Sequence, residues 1–404
     1  MTAPFKILFK ILFRTLVRTL VRALPAGRPR APLRACLGAS PRALPGGVRP
    51  GGRRALAAAL LLALALLSAG AGAPGPAAAQ EAQRRFGQGA TGFLLRSTTD
   101  IDIFGPVIAR FAELNPDLSV TYEQWGSNDL FRISRDNCRG RGRAADAVLS
   151  SAVQHMVWLV NAACAHPYRS AATLALPQAR RWRDELWGIT AEAAVIAYNR
   201  RLLPEAEVPR SRFALLDALR ARPELFRNRI ATYDIAASGL GYLFAHSDSL
   251  EATTFGALLE GFARVGAVAT CCSAEIIAGV AEGRYLLAYN VLGSYVLAAD
   301  APDVGMILPE DYTLLLSRGY MIPRQAAQKG AAARLLDFLL GPEAQALMAR
   351  AGLVTGLDPG ETGLAASARR QIALSPALLV ARDAARRARL LQFWSDTFQQ
   401  GAFP

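Results

Sequence analysis

Through most of its length the chain alternates extended and helical segments, and this alternation constrains its fold more than any other feature. After a strand at 92–96, residues 103–114 have helical apolar spacing that ends before Asn115-Pro116. The residue before a proline resists helical backbone, so the helix ends there. Two further strands are predicted at 118–124 and 145–149. Strands separated by helices predict parallel sheets and an α/β fold.

A second alternating unit follows the first. Its predicted elements are strands at 191–198, 229–233 and 284–289, helices at 212–222 and 255–265, and one long basic terminal helix at 377–398. Two such units without a long internal linker predict two lobes joined by two extended hinge crossovers, with a ligand cleft between the lobes. We place 90–190 and 305–340 in the N-terminal lobe, and 191–304 and 341–404 in the C-terminal lobe.

The first 79 residues have the order of an export signal. Arg53-Arg54 precedes an apolar run at 55–67, and small residues then lead to Ala77-Ala78-Ala79. This pattern is typical of a secretory signal peptide cleaved after Ala79, whereas a membrane anchor needs about 20 apolar residues. Residues 1–52 read as a basic amphipathic helix followed by a Pro-, Gly- and Arg-rich stretch. We interpret 1–52 as the product of a start codon assigned too far upstream, and predict a periplasmic location.

The basic charge of the chain is concentrated in that leader. Residues 1–79 hold twelve Lys and Arg and no Asp or Glu, which leaves 34 basic and 32 acidic residues in the remainder. A nucleic-acid-binding protein needs a basic face, and the nearly neutral body does not predict one.

Four cysteines follow the leader: Cys138, Cys164, Cys271 and Cys272. An even number suits an oxidising compartment, and Cys138–Cys164 is the disulfide that we expect. For the adjacent Cys271 and Cys272 the sequence leaves a disulfide open. No C-x-x-C spacing occurs and the chain has three histidines, so we predict no metal site and no cofactor.

Hydroxyl- and amide-bearing turns follow four of the predicted strands. In open α/β sheets, ligands bind beyond the carboxyl ends of strands, where helix N-termini favour anions. The side chains that we predict to bind a ligand there are Ser97, Thr98, Thr99, Ser150, Ser151, Tyr233, Ser238, Tyr289, Asn290 and Tyr295. The alternative interpretation is helix capping, since Ser, Thr and Asp are common N-cap residues.

Sequence motifs of enzymes are missing or incomplete. G-x-S-x-G does not occur, and the run 238–241 lacks the Gly-Lys-Ser/Thr ending of a phosphate loop. Glu310 and Asp311 are adjacent, so in an extended segment their side chains point to opposite faces. We therefore predict a binding protein and no catalytic residues.

An ordered set of short segments carries a family resemblance. The segments are Ser97-Thr98-Thr99-Asp100, Ala145 through Ala152, Ala197-Tyr198-Asn199, Gly239 through Leu243, Ala288 through Tyr295, Pro309 through Thr313, and Ile322-Pro323 ahead of Ala333 through Leu340. In this order the chain resembles the periplasmic substrate-binding proteins of ABC transporters. The group includes iron(III)-binding proteins and the phosphoglycerate transport regulatory protein.

The resemblance implies a type 2-like, two-lobed monomer that closes on a small ligand. Its partner is then an inner-membrane ABC permease or, alternatively, the sensor domain of a membrane kinase. Iron binders of this group use two adjacent tyrosines, whereas this chain has Tyr289 and Tyr295 in the corresponding stretch. We therefore expect a small organic or phosphorylated anion rather than ferric iron. Arg96, Arg264 and Arg318 are candidate sources of positive charge.

Overall fold

A computed structural model describes residues 80–355 and 364–400, with side chains to residue 398. The predicted signal peptide at 1–79 lies outside the described residues. Within the described part, no helix is both long enough and apolar enough to cross a membrane.

The first of two sheets has the strand order β1-β3-β2-β4-β13-β6-β5. Its strands are β1 (Gln80–Phe86), β2 (Thr91–Ser97), β3 (Leu118–Trp125), β4 (Ala147–Ser150), β5 (Arg181–Trp182), β6 (Leu186–Gly188) and β13 (Gly319–Met321). Strand β2 runs parallel to both β3 and β4. Strand β13 pairs antiparallel with β4 and β6.

The second sheet has the order β14-β12-β7-β10-β8-β9, and β11 also pairs with β7. Its strands are β7 (Glu192–Asn199), β8 (Ile230–Tyr233), β9 (Val268–Thr270), β10 (Leu287–Leu292), β11 (Val304–Ile307), β12 (Thr313–Leu316) and β14 (Arg369–Gln371). Strand β8 is parallel to β9 and β10, whereas β10, β11 and β12 are antiparallel to β7.

Helices cover both sheets. They are α1 (Ile101–Leu114), α2 (Ser127–Cys138), α3 (Val153–Asn161), α4 (Ala171–Ala175), α5 (Arg212–Ala221), α6 (Pro223–Phe226), α7 (Gly239–Glu251), α8 (Phe255–Arg264), α9 (Ser273–Ala281), α10 (Gly293–Ala298), α11 (Lys329–Leu340), α12 (Pro342–Arg350) and α13 (Ala384–Gln400). Short 3-10 segments occur at Gln178–Arg180, Glu205–Glu207, Ala366–Ala368 and Pro376–Arg382.

Two apolar clusters form the core. Val195 and Ala197 of β7 belong to the larger cluster, which also contains the buried residues of the first sheet. Ile196 and Tyr198 belong to the second cluster. Because side chains alternate along a strand, β7 separates the two clusters. The second sheet is therefore buried on both faces.

The chain passes between the two sheets at two short crossovers, and the longer segment between β13 and β14 returns it to the second sheet. One is the segment 189–191 between β6 and β7, and the other is Ser317-Arg318 between β12 and β13. Both crossovers are buried, with Arg318 only 1% exposed. The predicted α/β fold with two lobes and two crossovers is confirmed.

Three details refine these sequence predictions. The sheets are mixed and not purely parallel, because β7 and β13 run against their neighbours. The predicted helix 377–398 is wrong: it divides at Asp383, whose carboxylate accepts a hydrogen bond from Arg386 N and starts α13. The lobe boundaries stay a prediction, although β11 and β12 pair within the second sheet.

The expected Cys138–Cys164 disulfide is present. It joins the end of α2 to the loop after α3. Cys271 and Cys272, between β9 and α9, are also joined.

Candidate functional site

The first turns of α2, α3, α7 and α9 meet the crossover residue Arg318 in a cleft between the two sheets. The residues that line it are Glu81, Thr98, Asp100, Trp125, Gly126, Ser127, Ser151, Tyr233, Ala237, Ser238, Leu240, Cys271, Cys272, Ser273, Leu292, Tyr295 and Arg318. Strands β2, β3, β4 and β8 all end at this cleft, as expected for the carboxyl edge of an α/β sheet.

Five of the ten predicted ligand residues line the cleft: Thr98, Ser151, Tyr233, Ser238 and Tyr295. Thr98 and Ser151 belong to neighbouring strand ends, and their hydroxyl oxygens lie 3.1 Å apart. Tyr233 Oη and Ser273 Oγ lie 2.6 Å apart on the opposite wall. The structure therefore places hydroxyl groups from both lobes around one space.

Three predicted residues lie directly behind the cleft wall. Ser97 Oγ accepts a hydrogen bond from Thr99 N, and Ser150 Oγ accepts one from Ala152 N. Thr99 Oγ1 accepts one from Arg318 Nη1 at 3.0 Å. Ser97 and Ser150 therefore stabilise the turns that carry the cleft residues, a local role that differs from the helix capping considered as the alternative.

Tyr289 and Asn290 do not reach the cleft. Tyr289 Oη and Asn290 Nδ2 both donate hydrogen bonds to Asp248 Oδ2 inside the second lobe, at 2.7 and 2.8 Å. Burial raises the pKa of Tyr289 well above its ordinary value. We therefore leave these two residues out of the site proposed below.

A buried ion pair joins Arg318 of one crossover to Glu192, the first residue of β7 after the other crossover. Arg318 Nε and Nη2 donate to the two carboxylate oxygens of Glu192 at 2.7 and 2.9 Å. The side chains are 1% and 0% exposed. Burial alone would lower the pKa of Arg318, but Glu192 beside it holds that pKa above the ordinary value. Arg318 thus borders the cleft with its charge compensated by Glu192, while its third nitrogen, Nη1, donates to Thr99 Oγ1.

Three of the helix N-termini at the cleft have no side-chain cap. Within the described part of the chain, no side-chain hydrogen bond caps α2, α3 or α9, whose N-cap residues are Gly126, Ala152 and Cys272. Helix α7 is capped by Ser238, which accepts from Gly241 N. First-turn N–H groups carry partial positive charge, so three uncapped ends favour an anion in this cleft.

Two carboxyl groups also face the cleft. Asp100 accepts a hydrogen bond from Tyr295 Oη at 2.9 Å, a contact between the two lobes. Burial raises the pKa of Asp100 and that of Glu81. Because their pKa values are raised, these carboxyl groups lose their negative charge at a higher pH than ordinary carboxyl groups do. The loss of charge weakens their repulsion of an anion.

Direct hydrogen bonds hold the lobes against each other beside the cleft. Ser127 Oγ accepts from Gly239 N at 2.8 Å, and Gln154 Nε2 donates to Gly239 O at 2.7 Å. Asn128 Nδ2 donates to two backbone carbonyls just before α7, at 2.9 and 2.7 Å. The structure is therefore a closed arrangement of the lobes.

Sequence reasoning missed several cleft residues. Ser127 follows the predicted strand 118–124, so the same strand-end signal would have found it, whereas Ser273 follows β9, which was not predicted. Of the three candidate arginines, only Arg318 lies in the cleft; Arg96 is paired with Glu123 at 2.7 Å, and Arg264 is exposed. Among the described residues, no group of three or more His, Cys, Asp and Glu side chains is placed to hold a metal ion.

Two α/β lobes, two crossovers and a polar cleft at the strand ends define a two-lobed binding protein. The family model for bacterial extracellular solute-binding proteins matches residues 97–346, and the chain belongs to this family. It is the substrate-binding component of an ABC-type import system. Members of the family are binding proteins that act outside the cytoplasm and work together with an ABC permease.

Solved structures agree with this assignment. A substrate-binding protein of an ABC transporter from Agrobacterium tumefaciens is 30% identical, with a TM-score of 0.73 over 80% of this chain and 99% of that one. Apo ferric ion-binding protein A from Pasteurella haemolytica is 18% identical (TM-score 0.59, 78% and 99% covered). AfuA from Actinobacillus pleuropneumoniae, solved with exogenous fructose-6-phosphate, is 14% identical (TM-score 0.60, 77% and 99% covered). The last two similarities concern the fold alone. Comparison with curated sequences gives no match.

Proposed function

We propose that the cleft binds a small organic anion, with phosphorylated compounds as the leading class, and that binding holds the lobes closed. The observation that carries this proposal is the convergence of three uncapped helix N-termini on one cleft. Hydroxyl groups of Thr98, Ser127, Ser151 and Ser273 add neutral hydrogen-bond partners. Backbone N–H groups and hydroxyls suit phosphate oxygens because they supply several donors without a full counter-charge.

The route of the protein is part of the same proposal. The exported body begins near Gln80, after cleavage of the signal peptide at Ala79, and acts in the periplasm as a monomer that catalyses no reaction. The closed form then delivers its ligand to an inner-membrane permease. A signalling role, in which a membrane sensor kinase reads the closed form, is the alternative for the same binding event.

Ferric iron is the weaker candidate for the ligand. Iron(III) favours phenolate and carboxylate oxygens, and Tyr295 with Asp100 is the one such contact between the lobes among the described cleft residues. Burial raises the pKa of Tyr295 well above its ordinary value, which opposes the phenolate form. Tyr289, the second tyrosine considered, is bonded to Asp248 away from the cleft.

A thermal-shift screen of residues 80–404 tests the proposal. The panel contains phosphoglycerates, sugar phosphates, inorganic phosphate, dicarboxylates and ferric citrate. A ligand at a hundred times its dissociation constant stabilises the folded state by about 2.7 kcal/mol. We expect a concentration-dependent rise in melting temperature with at least one organic anion. The rise should shrink in Ser127→Ala and Ser151→Ala and persist in Ser367→Ala, which alters an exposed serine outside the cleft.

Two results would contradict the anion proposal. A shift with ferric citrate alone, lost in Tyr295→Phe, would assign the cleft to iron. If no panel member shifts the melting temperature, the tested organic anions are not ligands of the cleft, and a protein partner becomes the next candidate.

A further inference from the structure

Two adjacent cysteines form part of the cleft wall. Cys271 and Cys272 follow β9 and lead directly into α9, and both line the cleft. Each is partly exposed, in contrast to Cys164 of the other disulfide, which is buried. Their sulfur atoms are joined. A disulfide is thus exposed to the same space that is proposed to receive the ligand.

The cysteine pair lies at the N-terminus of α9, where the partial positive charge of the helix acts on it. Cys272 is the N-cap residue of α9, and within the described residues no side chain caps this helix. The next residue, Ser273, is held in place by its contact with Tyr233. The first N–H groups of α9 therefore lie beside the two sulfur atoms and at the cleft. An anion in the cleft and a charge on sulfur would compete for the same N–H groups.

We propose that the oxidation state of the Cys271–Cys272 pair sets the affinity of the cleft for its anion, high as the disulfide and low as the dithiol. The inference rests on the proposed function, because it takes the ligand to be an anion. The change is a thiol–disulfide exchange with a dithiol reductant. The reductant attacks one sulfur and then closes to its own disulfide, so that the pair gains two electrons and two protons.

The physical reason is the charge that only the reduced pair can carry. A disulfide is neutral, and it leaves the α9 N-terminus to the ligand. A thiol at a helix N-terminus ionises more readily, and the resulting thiolate would occupy these N–H groups and repel an anion. The charged groups that share the cleft or the helix start are Glu81, Asp100, Arg318 and Glu275. Arg318 is the one cation among these four groups, and its charge is already compensated by Glu192. Glu275 is an anion that accepts a hydrogen bond from Thr270. None of the four therefore neutralises a thiolate.

The second disulfide supplies a matched control. Cys138–Cys164 lies within the first lobe, lines a separate pocket with Ser134 and Met321, and does not line the cleft. Reduction of the whole protein opens both disulfides, but only one of them is placed to act on the ligand directly.

The experiment compares binding by the oxidised and reduced protein. Residues 80–404 are isolated from the periplasm, and alkylation with mass analysis reports whether the 271–272 peptide carries a disulfide. Titration calorimetry then measures the affinities for 3-phosphoglycerate, fructose-6-phosphate and inorganic phosphate before and after treatment with a dithiol. Cys271→Ala with Cys272→Ala, and Cys138→Ala with Cys164→Ala, are measured in the same way.

We expect reduction to weaken binding of the best probe by at least fivefold in the natural protein and in the Cys138→Ala, Cys164→Ala variant. The Cys271→Ala, Cys272→Ala variant should show no response to the dithiol. Equal affinity in the two states, a response that survives in the Cys271→Ala, Cys272→Ala variant, or free thiols at 271–272 after export would overturn the inference. Binding in neither state would overturn the proposed anion function itself, and this inference with it.

Discussion

Replacing Glu192 by Gln tests how much the buried ion pair between Glu192 and Arg318 stabilises the folded protein. The substitution keeps the volume of the side chain and one oxygen that accepts from Arg318, but it removes the negative charge. Arg318 is 1% exposed, so its guanidinium cannot recover water in exchange. The variant therefore leaves a buried cation without its carboxylate.

The geometry sets the size of the effect. Both carboxylate oxygens of Glu192 are bonded to Arg318, at 2.7 and 2.9 Å, and Thr190 and Ser294 donate to the same carboxylate. Breaking a fully buried pair by removing one partner costs about 3–5 kcal/mol. An exposed pair is worth only about 0.2–1 kcal/mol. We expect Glu192→Gln to lower the free energy of unfolding by about 3–5 kcal/mol.

The assay is urea unfolding at neutral pH, with the midpoint and slope fitted for each variant. Asp117→Asn is the matched control, because Asp117 is 2.8 Å from Arg334 with both side chains about half exposed. The two ion pairs have nearly the same length and differ in burial. A loss below about 1 kcal/mol in Glu192→Gln, or equal losses in the two variants, would refute the argument that burial makes the crossover pair strong.

Three further predictions concern closure and pH. Asn128→Ala removes two hydrogen bonds between the lobes, each worth about 0.5–1.5 kcal/mol, and should weaken anion binding by about 5- to 150-fold in calorimetry. Gly239→Ala places a Cβ 2.6 Å from His155 Cε1 across the lobe contact, so it should keep the lobes apart in solution scattering while the isolated lobes remain folded. Burial and then the nearby Arg382 lower the pKa of His155 to about 3, below the unfolded value near 6.5. The unfolded chain then binds more protons between these pH values, so His155 should cost about 2 kcal/mol of stability by pH 5, measured by urea unfolding across pH.

Each of these predictions has its own control. Gly330→Ala adds a Cβ with nothing within 4 Å and should leave the scattering profile unchanged. His155→Gln should flatten the loss of stability below pH 6.5; an unchanged pH profile would show that other groups cause it. Normal ligand affinity in Asn128→Ala would mean that its two bonds do not contribute to closure, and a compact Gly239→Ala protein would mean that the lobe contact yields to the added methyl group.

The rule that polar side chains after strand ends line the cleft predicted several of the lining hydroxyl groups. The rule failed where the chain departs from regular strand geometry. Thr98, Ser151 and Ser238 follow strand ends and do line the cleft. Tyr289 and Asn290 were expected at the end of a strand at 284–289, but β10 continues to Leu292, its register shifts between Ala288 and Val291, and Asn290 has a φ of 60°. A bulge of this kind re-aims side chains, which accounts for their hydrogen bonds to Asp248.

Contacts between distant parts of the chain were beyond local patterns. Arg318 and Glu192 are 126 residues apart; Arg318 lies in one crossover and Glu192 begins β7 directly after the other, and local periodicity does not pair them. The cysteine pair was visible in the sequence, but its place on the cleft wall depends on where β9 ends against the other lobe. Fold class follows from alternation along the chain, whereas the cleft follows from how the two sheets meet.

The contacts that close the lobes are few enough for a small ligand to control them. Besides the bond of Tyr295 to Asp100, four hydrogen bonds join the lobes beside the cleft, made by Ser127, Asn128 and Gln154 with residues 236, 237 and 239. At about 0.5–1.5 kcal/mol each, these four bonds stabilise the closed state by roughly 2–6 kcal/mol. The conformational entropy that the two lobes lose on closing opposes this stabilisation. A ligand shifts such an equilibrium only by its difference in affinity for the two states, and about 5.5 kcal/mol moves it from 1:99 to 99:1. An anion that reaches the N-termini of α2 and α3 from one lobe and α9 from the other makes its full set of contacts only when the lobes are closed, so its contacts with the second lobe set its preference for the closed state.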